Sequence, residues 1–247
     1  MDLRERNRKA FTDMHCHILH GVDDGAKTLE EALLALEQAE KQGVRKIILT
    51  PHHAPEDGLS PERILKMAGQ LRQAALDRGL RVDLHTGQEC LYHSELPGLL
   101  ERGEVLTLAR SRYVLVAFQE DVSWFMLRSG CTRLQEYGFV PILAHYERYR
   151  CMDTGNRAVE LKRMGCLLQV NAETISRFGG RLFYGNPIRR DIRQGLVDFV
   201  GSDCHGTHFR PYQLPKQLAW LYRTCSMETA DAVTWKNAEK ILEKKYG

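Results

Sequence analysis

The sequence predicts an α/β fold, a single parallel barrel or sheet covered by helices, on three observations. Seven short, β-rich apolar runs recur along the chain. Longer segments with helical periodicity lie between them, and no Pro/Gly/Ser-rich linker divides the 247 residues. A chain of this length can build one large core, and many α/β barrels of similar size are one domain, so residues 1–247 are read as a single domain.

The strand candidates are FTDMH (11–15), RKIILT (45–50), RVDLHT (81–86), RYVLVAF (112–118), FVPILAH (139–145), CLLQV (166–170) and VDFVGSD (197–203). Between the first two lies TLEEALLALEQAEKQG, whose Leu29, Ala32, Leu33, Leu36 and Ala39 share one helical face. Thr28 and Glu31 form a capping box at its start, and Gly43 ends it. SPERILKMAGQLRQAALDRG repeats the plan, with Ser60 as cap, Pro61 at the first helical position and Gly79 as stop. Further helices are predicted over 122–137, 154–164, 213–225 and 228–245.

Hydrophobic residues make up 43% and charged residues 27%, a globular balance. A net charge of +3 is too small to argue for a nucleic-acid partner without a localised patch. The polar opening MDLRERNRKA leads into no apolar run, and no stretch reaches the length of a membrane span. Seven cysteines, an odd number without any C-x-x-C, fit reduced thiols better than a disulfide framework or a zinc ribbon. The expectation is a soluble, cytoplasmic protein without a membrane span and without nucleic acid as partner; the oligomeric state is left open.

The metal-type residues are informative by position. His15 and His17 close the first strand, and Asp24 lies in the loop that follows. His52 and His53 follow the second strand, Glu89 the third, and His145 ends the fifth. Asp203 and His205 end the seventh. In a β/α barrel the carboxyl ends of all strands converge on one face, so residues distant in sequence meet there. Imidazole with carboxylate suits zinc, manganese or iron, whereas calcium or magnesium would favour oxygen alone. Each motif has an ordinary explanation when taken singly: H-x-H is a common accident, a lone histidine is usually a core or surface residue, and Glu89 could be a loop carboxylate. Their conjunction at the correct ends of successive strands would require many independent accidents. His53 competes with His52 as the ligand, while His85 and His93 are read as residues without a metal role.

At these residues the chain resembles the polymerase-and-histidinol-phosphatase (PHP) superfamily, and within it the bacterial manganese-dependent protein-tyrosine phosphatases of capsule and exopolysaccharide loci. The resemblance rests on DMHCHILHGVDDGAKTLEEA, ILTPHH, TGQECLY, PILAHYERY, VGSDCHG and NAEKIL, which follow in order over nearly the whole chain. It implies a distorted (β/α)7 barrel and two to three divalent metal ions, manganese first, with iron or zinc as alternatives. It implies one metal on His15, His17, Glu89 and Asp203, a second on Glu89 and His145, and a third on Asp24, His52 and His205. Arg148 matches the arginine that contacts the substrate phosphate, and Arg210 a second arginine near the site. The implied substrate is a tyrosine-phosphorylated segment of a bacterial tyrosine kinase. One departure stands out: Ala117 occupies the position where the fourth strand usually ends in a carboxylate for the second metal. That site is therefore expected to bind more weakly, unless Gln119 or Glu120 reaches it.

Rival readings exist. Cys151–Arg157 and Cys204–Arg210 both fit the C-x5-R of thiol phosphatases, but about one such match is expected by accident, and the thiol mechanism needs a phosphate loop running into a helix N-terminus. Pro211 could start such a helix, although Cys204, lying between two expected ligands, should point away from the mouth. A histidinol-phosphate phosphatase or a nuclease are the nearer alternatives. No basic stripe with interleaved aromatics supports the latter. A non-catalytic binding module would tolerate metals without needing Arg148.

Overall fold

Every predicted β run forms a strand in the computed structural model, which describes residues 11–56, 58–153, 156–176 and 187–243. The strands are β1 (Phe11–Cys16), β2 (Val44–Leu49), β3 (His52–His53), β4 (Asp83–Thr86), β5 (Glu89–Leu91), β6 (Tyr113–Ala117), β7 (Val140–Leu143), β8 (Leu167–Asn171) and β9 (Phe199–Gly201). All their pairings are parallel. They form two ladders, β1-β2-β4 and β3-β5-β6-β7-β8-β9. The short strands β3 and β5, absent from the sequence reading, resume after breaks at Pro51 and at Gly87–Gln88. Pro51 has no N–H to give the ladder, yet its carbonyl accepts from the Glu89 N–H at 3.2 Å, so pairing restarts one step later.

The sheet curls until its last strand stands beside its first. The Asp203 N–H donates to the His15 carbonyl at 2.9 Å, and the His17 N–H to the Cys204 carbonyl at 2.8 Å. Gly201 permits this approach: a Cβ there would lie 2.8 Å from the His15 Cβ and 2.9 Å from Gln169 Nε2. Met14, Ile48, Leu115, Ile142 and Phe199, from five strands, cluster together and are closed off by Ala238 and Ile241. The alternate residues, among them Val114, Val116, Leu143 and Val170, pack in the larger cluster that includes the helices. Burial on both faces explains why these strands read as continuous apolar runs. Each such side chain contributes roughly 1.5–3 kcal/mol on leaving water.

The helices are α1 (Leu29–Lys41), α2 (Pro61–Asp77), α3 (Leu96–Glu101), α4 (Trp124–Glu136), α5 (Arg157–Arg163), α6 (Ala172–Ser176), α7 (Pro187–Arg193), α8 (Pro215–Thr224), α9 (Met227–Asp231) and α10 (Asn237–Glu243). The caps follow the sequence: Thr28 accepts from the Glu31 N–H, and Ser60 from the Arg63 N–H. The Glu31 carboxylate, however, takes the Lys27 N–H at 2.9 Å, one residue before the cap. The single helix predicted over 228–245 is α9 and α10 joined by a π-turn at Ala232–Lys236. Residues 154–155 and 244–245 of the predicted helices lie outside the described residues. The short α3, α6 and α7 were beyond a reading that needs two or three turns of periodicity. Among the described residues no helix is long and apolar enough to cross a membrane, and all seven cysteines are free.

Candidate metal centre

The carboxyl ends of the strands bring the eight expected residues to one place. His15 and His17 project from the end of β1 with their Nε2 atoms 3.1 Å apart. Glu89, which opens β5 and is buried, puts Oε2 3.2 Å from each of these nitrogens and 3.1 Å from His52 Nδ1. Its other oxygen, Oε1, is 2.7 Å from His145 Nε2. Asp203 Oδ1 lies 3.5 Å from both His15 Nε2 and His17 Nε2. Asp24, on the rim, places Oδ1 3.3 Å from His52 Nε2 and 3.5 Å from His205 Nε2. Two donor groups converge within 4.8 Å: His15, His17 and Glu89, and next to them His17, Asp24, His52 and His205. Ions with ligand bonds of ~2.0–2.1 Å hold neighbouring ligand atoms roughly 3.0–3.4 Å apart, which is the spacing seen here.

The hydrogen bonds behind the imidazoles decide which atoms face inward. His15 Nδ1 lies 3.0 Å from Gln169 Oε1, and the backbone N–H of His145 donates to the same oxygen at 2.7 Å. That oxygen is an acceptor, so His15 Nδ1 carries the proton and Nε2 presents a lone pair. His17 Nδ1 is 2.9 Å from Asp23 Oδ2, and His205 Nδ1 is 2.8 Å from the Asp203 carbonyl, with the same consequence. Glu89 Oε2 is buried and accepts no well-formed hydrogen bond, although three ring nitrogens surround it. Lone pairs pointed at lone pairs repel unless positive charge lies between them, and a cation fits that demand.

The titration behaviour says the same. Burial would push His15 and His17 down, but the Glu89 and Asp203 carboxylates beside His15, and Asp23 and Glu89 beside His17, lift both rings above their ordinary value. Burial would raise Glu89 and Asp203, yet the facing imidazoles hold both carboxyls below the usual range. Burial, and the neighbouring His17 ring, lower His205 to about 4, leaving it neutral with its lone pair available. The pocket as a whole stabilises added positive charge.

The backbone is bent to make this site. His145, Asp203 and Arg210 adopt φ of 33°, 53° and 45°, a left-handed region that costs such residues ~1–3 kcal/mol each. The bonds from the His145 N–H to Gln169 and from the Asp203 N–H to His15 hold the first two in place. Gly25 is required where the Asp23–Asp24 loop folds beneath His17, since a Cβ there would fall 1.7 Å from the His17 carbonyl. Arg148 donates to Asp203 Oδ2 at 2.7 Å, and Arg210 Nη1 lies 3.5 Å from the same oxygen. Both expected arginines thus gather on one carboxylate at the mouth.

Sequence reasoning missed three residues. Gln169 is fully buried, and its Nε2 donates to Asn171 Oδ1, while Asn171 Nδ2 donates to Asp203 Oδ2 at 2.7 Å. Asp23 orients His17 and also accepts the His52 N–H. The available signals were the polar alternation QVN in an apolar strand and the doubled acid of VDDG. Gln169→Leu removes the acceptor that fixes His15 and tethers His145; loss of such a supporting partner typically weakens metal affinity ~10–100-fold. We expect that weakening in a metal titration of the variant, and an unchanged affinity would show that the strand alone positions His15.

His52, not His53, joins the cluster, because His52 lies near both Glu89 and Asp24 whereas His53 sits against His93, ring centres 5.9 Å apart. The thiol reading finds no support. Cys204 is fully buried, its Sγ 3.4 Å from the Gly206 carbonyl, and the next helix starts at Pro215, not Pro211. Cys151 lies under Arg157, whose guanidinium bonds the Cys151 carbonyl and stacks on Trp124.

Residues 11–243 match the family model for capsular polysaccharide synthesis, CpsB/CapC. The chain belongs to the CpsB/CapC family. It is 31% identical over 242 residues to the tyrosine-protein phosphatase CpsB of Streptococcus agalactiae, covering 95% of this chain and 99% of that one. It is 28% identical to the tyrosine-protein phosphatase YwqE of Bacillus subtilis, over 93% of this chain and 91% of the relative. A crystal structure from a study of YwqE of Bacillus subtilis and CpsB of Streptococcus pneumoniae, described as unique metal-dependent tyrosine phosphatases, superposes with a TM-score of 0.85 at 26% identity, covering 95% of each chain. The curled parallel sheet is the fold of this CpsB/CapC relative, and the imidazole–carboxylate cluster stands at its carboxyl-end face.

Proposed function

We propose that residues 1–247 form one PHP-type domain, a metal-dependent protein-tyrosine phosphatase. It would act in the cytoplasm on a tyrosine-phosphorylated segment of a bacterial tyrosine kinase and so regulate capsular or exopolysaccharide synthesis. The observation that carries this reading is the fixed tautomers: His15 and His17 are locked with lone pairs turned onto the buried Glu89 and Asp203, and His205 with its lone pair toward Asp24. In a chain related end to end to metal-dependent tyrosine phosphatases, that arrangement is a centre for divalent ions, two to three of them, manganese first, with iron or zinc as alternatives.

In this reading His15, His17, Glu89 and Asp203 hold one ion, Glu89 and His145 a second, and Asp24, His52 and His205 a third. Bound there, the ions supply charge for the phosphoryl oxygens and acidity for the attacking water. The chain supplies the rest. Glu89, with oxygens facing opposite imidazoles, ties two positions together. Arg148, its guanidinium anchored on Asp203 Oδ2, offers its remaining N–H groups to phosphate oxygens, and Arg210, near the same oxygen, joins it.

Beside Glu89 and His145 lies a cavity of about 560 Å³ whose wall includes Val22, Leu91 and Ala117. Ala117 lines the same cavity as these two residues, and its methyl group leaves the second position short of a carboxylate. Ala117→Glu is expected to raise metal occupancy, and identical titration curves for variant and parent would show that another group already supplies the ligand.

The function is tested by offering the metal-loaded protein a phosphotyrosyl peptide, histidinol phosphate and single-stranded DNA. Preferential hydrolysis of the peptide is expected. Preference for either other substrate would place the chain with the corresponding branch of the superfamily.

A further inference from the structure

A second cavity, of about 500 Å³, opens between α7 and α8. Lys216, Trp220 and Arg223 lie at positions i, i+4 and i+7, on one face of α8. Across from them Arg189 and Arg193 of α7 set their guanidiniums 4.9 and 5.3 Å from the Trp220 ring centre. The indole is therefore already covered and serves to hold the arginines in place. Among the described residues none of these four cations pairs with a carboxylate. Asp191 of α7 is taken by Tyr146 and Arg190, and Asp231 of α9 by Lys236. Four like charges with no carboxylate partner among the described residues repel one another, and an anionic partner would turn that cost into binding.

The location indicates which anion. A third cavity, of about 370 Å³, is lined by Asn171, Asp203 and Arg210 of the metal centre and extends to Glu173 and Leu214. The basic cavity begins at the next residue, Pro215, and at Ser176, the far end of the same helix α6. The two thus draw their linings from the same helix, α6, and from consecutive residues at the start of α8. A peptide whose phosphate sits by Arg148 and Arg210 would approach Lys216 and Arg223 by following α6 and the Leu214–Pro215 junction.

We propose that the α7–α8 cavity docks acidic residues lying a few positions away from the phosphotyrosine in the peptide substrate. The proposal rests on the phosphotyrosine reading and deepens it: the metal centre selects the phosphate, and the basic cavity selects its neighbours. Charge pairing at an exposed rim acts chiefly on capture, so the effect belongs in KM and in its salt dependence.

The test compares the metal-loaded protein with the double variant Lys216→Glu, Arg223→Glu, both exposed positions. Three substrates are used: free phosphotyrosine, a phosphotyrosyl peptide flanked by aspartates, and one of equal length flanked by serines. The parent is expected to favour the aspartate peptide about tenfold in kcat/KM, through KM, with the advantage shrinking as salt rises beyond ~0.15 M. The variant is expected to lose that advantage and to hydrolyse free phosphotyrosine at the parent rate, which reports on the phosphatase reading by itself. Equal use of both peptides by the parent, with free phosphotyrosine hydrolysed, overturns the docking site. A variant that keeps the peptide preference but no longer sediments with phosphatidylserine vesicles also overturns it, and assigns the cavity to a membrane surface.

Discussion

Glu89→Gln is expected to abolish measurable turnover, a loss of ~10³-fold or more, and to remove about one ion per chain. The substitution keeps the side chain's volume and removes the charge that faces His15, His17 and His52 through one oxygen and His145 through the other. An amide nitrogen would moreover turn its protons into a ring of ligand atoms. Elemental analysis and phosphotyrosine hydrolysis measured on the same preparation check the result. Parent metal content with parent turnover would show that Glu89 does not bridge the centre.

Arg148→Ala is expected to reduce phosphotyrosine hydrolysis by ~10²-fold or more while leaving the metal content intact. Its guanidinium contacts Asp203 Oδ2, but the oxygen facing the imidazoles is Asp203 Oδ1, and Asn171 still donates to Oδ2 after the arginine is gone. The loss should thus fall on turnover, not on metal. Near-parent turnover would end the assignment of Arg148 to the phosphate. Cys204→Ser, in the same assay, should leave activity essentially unchanged, and its abolition would revive a thiol nucleophile.

Much of this site was legible because parallel strands deliver their carboxyl ends to one face. Once FTDMH, FVPILAH and VDFVGSD are read as such strands, His15, His145 and Asp203 must meet. The strand period of two put His15 and His17 on the same side, as observed. The same argument was weaker at Asp203 and His205, where the backbone turns left-handed at Asp203 and the two side chains reach the cluster through a bent chain, not a pleat. Gln169 and Asn171 could not be found that way, because they bond the imidazole and the carboxylate from behind, Gln169 reaching His15 across strands far apart in sequence and Asn171 reaching Asp203 from the neighbouring β8. The breaks at Pro51 and Gly87 hid β3 and β5, which are too short for any periodicity. The basic cavity was equally hidden: Arg189 and Arg193 lie well before Lys216 and Arg223 in the chain, and only the packing of α7 on α8 brings them together around Trp220.

The central claim is that this cluster of imidazoles and carboxylates works only when it holds divalent ions. It is tested by exhaustive chelation of the purified protein, followed by stepwise return of manganese, with bound metal and phosphotyrosine hydrolysis recorded at every step. Hydrolysis should vanish with the metal and return as roughly two to three ions per chain are restored. Full hydrolysis by protein shown to contain no metal would contradict the account.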